Sequence, residues 1–134
     1  MSIKSFKGGV HPPERKAVLS SDDVVRVLPS NKSVWIPVTQ GGMPNTPLVN
    51  VGDLVARGQK IAETDKFMSA PVHSSVSGKV KKIEPHLVTG NTENLCFLIE
   101  IDEENREEFM PPLDPFSCTK DEALKRVRDA GIVG

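Results

Sequence analysis

The sequence predicts an all-β domain with a polar N-terminal arm and a short C-terminal α-helix, on three observations. Around Gly52 the residues Val49, Val51 and Val55, and around Gly78 the residues Val76 and Val80, place valines at alternating positions, the period of strands that bury one face. Overlaying the two glycines gives a rough repeat of about 26 residues, as expected of two small units that each cover the other's apolar face. Ser117–Gly134 is the only stretch with helix start and stop signals.

Taken in order, Met1–Ser33 is a polar arm punctuated by Gly and Pro, within which Asp22–Leu28 alternates enough to form a strand. This arm should wrap the domain rather than fill its core. Val34–Val38 reads as a strand carrying Trp35, and Gly41–Pro47 as a loop, since its glycines and prolines break regular structure. Gly52-Asp53 and Gly78-Lys79 are expected to be tight turns, where glycine tolerates the positive φ that other residues resist. Lys60–Thr64 leads into a polar hairpin, Gly78–Ile83 leaves the second turn, Glu84–Asn94 is a connecting loop, and Leu95–Ile101 is the strongest strand. Two glycine-turned strand pairs joined by a polar hairpin form the layout of a lipoyl-like barrel-sandwich hybrid. The expected organisation is an arm over 1–33, the barrel over 34–116, and a helical segment over 117–134.

In the helix, Thr119 and Glu122 make a capping box that satisfies orphan backbone donors. Asp121 with Lys125 and Glu122 with Arg126 are spaced for ion pairs, each contributing about 0.2–0.5 kcal/mol. Leu124 and Val127 form one inward apolar stripe, and Gly131 suits the position that ends the helix.

Composition narrows the function classes. The chain has 134 residues, enough for one core, and its 17 basic and 18 acidic side chains leave a net charge of -1, which gives no electrostatic reason to expect nucleic acid. No apolar run of about 18 residues could span a bilayer. The run from Asp102 to Glu108 reads as a solvated acidic loop. Cys96 sits in an apolar run and Cys118 before the helix, so neither a cluster, a zinc site nor a disulfide is expected from them. His11, His73 and His86 lack metal-ligand spacing, although His11 and His73 could converge in space. Ser74, Ser75 and Ser77 lack a nucleophile elbow, and no glycine-rich phosphate cradle occurs.

Glu63-Thr64-Asp65-Lys66 reproduces the hairpin-tip signature of lipoyl carrier domains. A carrier would need Lys66 exposed and acylated by a ligase. Carriers follow the lysine with a small residue, whereas here Phe67 and Met68 follow it, and the spacing to Gly78 is about one residue long, which in a strand reverses the side-chain face. Both readings stand at this point: a lipoyl- or biotinyl-type carrier with Lys66 as the modified lysine, or a surface on which Lys66, Phe67 and Met68 meet a partner.

Longer motifs point to a family. Phe6-Lys7-Gly8-Gly9-Val10-His11-Pro12-Pro13-Glu14-Arg15-Lys16 resembles the FxGGxHPxxxK opening of the RnfC protein of the Rnf electron-transport complex, and Val34–Gln40 resembles its VxIPLxQ strand. Gly41–Val49 is similar to the GxPxxPxV loop, Val51–Gln59 to VGDxVxxGQ, and Ser69–Val80 to SAPVHASxSGxV. These motifs run in order over nearly the whole chain, and Ser117–Gly134 resembles the helix that leads the family into its nucleotide-binding domain.

The resemblance implies an N-terminal structural and docking domain of a protein that, with others, couples electron flow between ferredoxin and NAD to ion movement. It implies a peripheral place on the cytoplasmic side of the bacterial inner membrane, with other Rnf subunits and the C-terminal domains as partners. Full-length relatives would hold two [4Fe-4S] clusters, FMN and NAD(H) in domains absent from these residues. None of those cofactors, and no catalysis, is expected of this chain itself. His11, Lys66, Phe67, Met68 and His73 are the candidate docking residues. Related domains occur in the A subunit of sodium-translocating NADH:quinone reductase and in a cobalamin reductase of propanediol microcompartments.

Overall fold

A computed structural model describes Pro13 and residues 32–133. The expected strand at Asp22–Leu28, and His11 with its expected approach to His73, lie outside the described residues.

Among the described residues seven strands and one helix follow in order: β1 (Ser33–Pro37), β2 (Thr46–Pro47), β3 (Leu54–Val55), β4 (Lys60–Glu63), β5 (Val72–His73), β6 (Gly78–Val88), β7 (Thr92–Ile101) and α1 (Lys120–Asp129). They form a four-stranded sheet ordered β1-β7-β6-β3 and a three-stranded sheet ordered β2-β4-β5. All of these pairings are antiparallel.

One core joins the two sheets. Phe97 and Ile99 of β7, Val80 of β6 and Val55 of β3 meet Ile61 and Ala62 of β4 and Val72 of β5, with Val38, Val49 and Val76 closing the ends. The register explains which residues enter it. Ile36 lies opposite Phe97 and Val34 opposite Ile99, so these β1 residues share the core face, while Trp35 pairs with Leu98 on the outer face. Each large side chain buried in this way contributes about 1.5–3 kcal/mol. This is the barrel-sandwich arrangement that the alternating valines predict, except that Val51, beside the Gly52 turn, is 59% exposed and stays out of the core.

Several expectations need correction. Glu84–Asn94 is not a loop, because β6 and β7 pair continuously from Glu84 opposite Cys96 to Val88 opposite Thr92. Only Thr89-Gly90-Asn91 turns, with φ of 87° at Gly90 and 57° at Asn91. Pro85 fits a strand for a geometric reason. Its partner Leu95 gives its carbonyl to the Val38 amide on the far side of β7. The Pro85–Leu95 pair is therefore of the non-hydrogen-bonded kind, and proline has no ladder donor to lose there.

Gly78 is not a turn. It pairs with Ile101 on one side and Val55 on the other, and a Cβ built there would strike the Glu100 carbonyl. Glycine is needed because another backbone approaches closely. Gly52 does lie in a turn, with φ of 101° and its amide bonded to the Val80 carbonyl at 2.8 Å. The two glycines are therefore not equivalent sites of a repeat. The strands beside them are neighbours, with Leu54 opposite Lys79 and Val55 opposite Gly78.

The helix has its capping box at Thr119 and Glu122, but its charges pair differently from expectation. The Glu122 carboxylate accepts the Thr119 amide at 2.8 Å, Lys125 reaches Asp129 at 2.6 Å, and Arg126 donates to the Pro111 carbonyl at 2.7 Å. Leu124 and Val127 do not point inward: they are 57% and 44% exposed, and no α1 residue is buried. The helix is attached to the barrel by its C-terminal end.

Candidate functional site

The β4–β5 connection, residues 64–71, carries the ETDK lysine. Lys66 is exposed, Phe67 is 96% exposed and Met68 is 70% exposed. The backbone beneath them is tied down. The Ser69 hydroxyl donates to the Lys66 carbonyl at 2.5 Å, and the Met43 amide donates to the Met68 carbonyl at 2.6 Å. Gly42 is required for that contact, since a Cβ there would collide with the same carbonyl. Below, the buried Asn45 side-chain amide donates to the Val38 and Ala70 carbonyls, both at 2.8 Å, joining the end of β1 to the base of the loop. A loop held at so many points presents Phe67 and Met68 outward as part of the fold.

The end of α1 reaches the same place. Ala130 caps the helix, Gly131 adopts φ of 69°, and the Gly131 and Ile132 amides bond back to the Arg128 and Val127 carbonyls at 2.9 and 3.3 Å. This is a Schellman closure, in which the glycine carries the left-handed residue. Arg128 donates to the Thr64 carbonyl at 3.0 Å. Gln40 Nε2 donates to the Pro71 carbonyl at 2.8 Å and the Gly131 carbonyl at 3.3 Å. The chain then leaves beside Phe67 and Met68. Ile132 and Val133, both exposed, join them around a cavity of about 460 Å³ floored by Gly41, Gly42 and Ala70. Among the described residues no charged side chain lines it.

His73 lies around the corner, half-buried on β5, in a second cleft of about 290 Å³ with Gly58, Lys60, Phe109, Met110 and Asp129. Burial, and then the Lys60 ammonium, hold its imidazole below the usual histidine range, against upward pulls from the Asp129 carbonyl, Glu108 and Glu63. Lys60 is itself bridged to Glu63 at 2.8 Å and lies 3.8 Å from Asp129. His73 therefore sits at the seam between the barrel and α1, while Lys66, Phe67 and Met68 stand in the open. Gln40, Ile132 and Val133 complete the apolar face without having been singled out in the sequence. The signal for Gln40 was its place at the end of the VWIPVTQ strand, with its amide free to bridge.

Cys96 is buried with its thiol toward the Asn94 carbonyl, Cys118 stands beside the Pro115 carbonyl, and both are free. An iron-sulfur cluster of the [4Fe-4S] type takes four thiolates, and this chain has two. Among the described residues no group of three His, Cys, Asp or Glu side chains is placed to hold a metal ion, and no helix is long and apolar enough to cross a membrane.

Fold and surface together define a barrel-sandwich hybrid domain that displays an apolar face around Phe67 and Met68. The chain belongs to the RnfC family: the family model described as the RnfC barrel sandwich hybrid domain matches residues 4–104. It is 37% identical over 139 residues to the C subunit of the proton-translocating ferredoxin:NAD(+) oxidoreductase complex of Clostridium ljungdahlii, covering 98% of this chain and 29% of that one. It is 36% identical over 141 residues to the C subunit of the Na(+)-translocating ferredoxin:NAD(+) oxidoreductase complex of Acetobacterium woodii, covering 100% and 31%. The C subunit of the ion-translocating oxidoreductase complex of Pasteurella multocida is 35% identical over 133 residues, covering 96% and 16%. The chain thus spans less than a third of the length of these relatives.

Proposed function

We propose that these residues are the N-terminal docking domain of an RnfC protein, serving an ion-translocating ferredoxin:NAD oxidoreductase without supplying a redox centre. Family membership supports the complex, and the observation that carries the docking role is the pinned display of Phe67 and Met68. Exposing large apolar groups on a fixed loop forgoes their burial, a cost that a protein partner recovers by covering them. The occupant that fits is an uncharged, apolar protein face, because no charged side chain among the described residues lines the cleft. Other subunits of the complex and the remaining domains of RnfC are the partners, on the cytoplasmic side of the inner membrane. The clusters, FMN and NAD(H) implied by the family belong to those other domains. In this organisation 1–33 is an arm, 34–116 the barrel, and 117–134 the junction toward a nucleotide-binding domain. His73 and Lys60 bear on this junction rather than on the apolar face.

The competing carrier function rests on Lys66. Its ammonium is exposed as a carrier requires, but it stands next to Phe67 on a loop fastened to the barrel. Co-expression with a lipoyl ligase followed by intact-mass measurement separates the two. The docking reading expects an unmodified chain and assembly that survives Lys66→Ala but weakens with Phe67→Ala. A lipoyl or biotinyl increment on Lys66 would overturn it.

A further inference from the structure

The side chain of Gln40 belongs to a sequence motif yet touches no candidate partner, so its chemistry needs an account. Its amide has two N–H donors and one carbonyl acceptor. Both near neighbours are backbone carbonyls, Pro71 at 2.8 Å and Gly131 at 3.3 Å, which fixes the orientation of the amide with its nitrogen toward them. These two carbonyls come from different parts of the fold. Pro71 is the buried base of the 64–71 loop, and Gly131 is the residue that ends α1.

We propose that Gln40 is a positioning residue that clamps the exit of α1 onto the barrel and thereby assembles the two halves of the apolar face, Phe67 with Met68 and Ile132 with Val133. Three further features agree with this. A Cβ at Gly131 would lie 2.6 Å from the Pro71 carbonyl and 3.1 Å from Gln40 Nε2, so the seam closes only around glycine. Arg128 fastens the last helical turn to Thr64 at 3.0 Å from the other side. The helix buries no residue of its own, and among the described residues the ties that hold it are polar, with Lys60 at 3.8 Å from Asp129, Arg126 on Pro111 and His73 against the Asp129 carbonyl. Polar ties without a buried apolar stripe make an attachment that opens locally before the core does. The apolar face is therefore conditional: when α1 is latched, Ile132 and Val133 complete it, and when α1 is pulled away only Phe67 and Met68 remain. A neighbouring domain that draws on α1 would change what the barrel can dock. The clamp is a property of this chain alone; its meaning for docking rests on the function proposed above.

Hydrogen exchange on the 134-residue chain tests the clamp. Gln40→Met keeps the length and removes both donors, so the Gly131 and Ile132 amides should exchange at least about fivefold faster, given the usual net worth of two hydrogen bonds. The Phe97 and Ile99 amides and the melting temperature should stay at their wild-type values. Gln40→Glu should open the seam further at pH 7, where a carboxylate faces two carbonyls. It should fall back below Gln40→Met once the pH drops under about 4.3, where the protonated acid regains a donor. Unchanged exchange at Gly131 and Ile132 in Gln40→Met, or equal acceleration across the core amides, would overturn the clamp, as would a Gln40→Glu variant that behaves like Gln40→Met at both pH values. The docking reading fails separately, if the clamp result holds and Phe67→Ala leaves association with the other subunits intact.

Discussion

Trp35 and His86 stack on the outer face of the four-stranded sheet, with ring centroids 4.0 Å apart and planes inclined at 50°. Trp35 stands on β1 and His86 on β6, and β7 runs between these strands. The contact braces the outer part of the β6–β7 hairpin against β1. The imidazole also lies 3.3 Å from Glu84 Oε1. Replacing His86 with alanine should lower stability by about 0.5–1.5 kcal/mol and shift the emission of Trp35, the only tryptophan, to longer wavelength. Denaturant titration followed by that fluorescence checks both; an unchanged midpoint and emission would show that the stack contributes nothing.

The two glycines should respond differently to alanine. At Gly78 the added methyl meets the Glu100 backbone and the Ile99 side chain, so the sheet must part or bend, at about 1–3 kcal/mol or more. At Gly52 the methyl meets open space and the cost is conformational, about 1–2 kcal/mol for the left-handed backbone. Thermal melts should rank Gly78→Ala below Gly52→Ala, and the reverse order would refute the close-approach explanation.

Protonation of His73 should loosen the barrel–helix seam. Its folded-state affinity for a proton is lowered from the ordinary value of 6.5, so the unfolded chain binds the proton first as pH falls. Stability is complete above about 6.5 and is lost as pH drops through the interval beneath it. The groups facing the ring are Lys60, which opposes its charging, and Glu63, Glu108 and the Asp129 carbonyl, which favour it. Carboxylates held low in the folded state, such as Asp102 beside Ser77, lose their contribution only below their ordinary value of 3.8, outside that window. Relative to the intrinsic rate, exchange at the Gly131 and Ile132 amides should therefore accelerate as pH falls below 6.5 in the wild type and accelerate less in His73→Gln. Parallel profiles would contradict this.

Much of the barrel was legible because burial imposes alternation. Val49, Val55, Val76, Val80, Phe97 and Ile99 all face one core, and a strand with one buried face must alternate. The outer half of the β6–β7 hairpin was not legible for the same reason. From Glu84 to Asn94 no residue is fully buried, so no alternation is imposed, and Pro85 and Gly90 read as breaks. Pro85 is tolerated only because the register places it in a non-hydrogen-bonded pair, a fact set by β1 and β7. Gly78 was misread because a positive-φ glycine and a close-approach glycine look alike in sequence. The exposed lysine and its two apolar neighbours were visible as residue types. Their union with Ile132 and Val133 was not, because it depends on a tie between Gln40 and Gly131 across 91 positions.

Asn45 should be a stability site. Its replacement by alanine leaves the Val38 carbonyl with only the backbone amide of residue 45 and removes a donor from the Ala70 carbonyl. Leaving buried carbonyls short of donors costs about 1–3 kcal/mol. Urea unfolding should show that loss, whereas Asn45→Asp, which lacks the donating amide, should do no better.

Docking through the apolar face is tested most directly by placing a photo-reactive phenylalanine analogue at position 67 of the RnfC protein in the assembled complex, irradiating, and mapping the products by mass spectrometry. The docking function predicts cross-links from position 67 to one defined apolar segment of another Rnf protein or of the remaining domains, with position 66 left unmodified. A complex that assembles fully yet gives no cross-link from position 67, or a lipoyl group on Lys66, would contradict it.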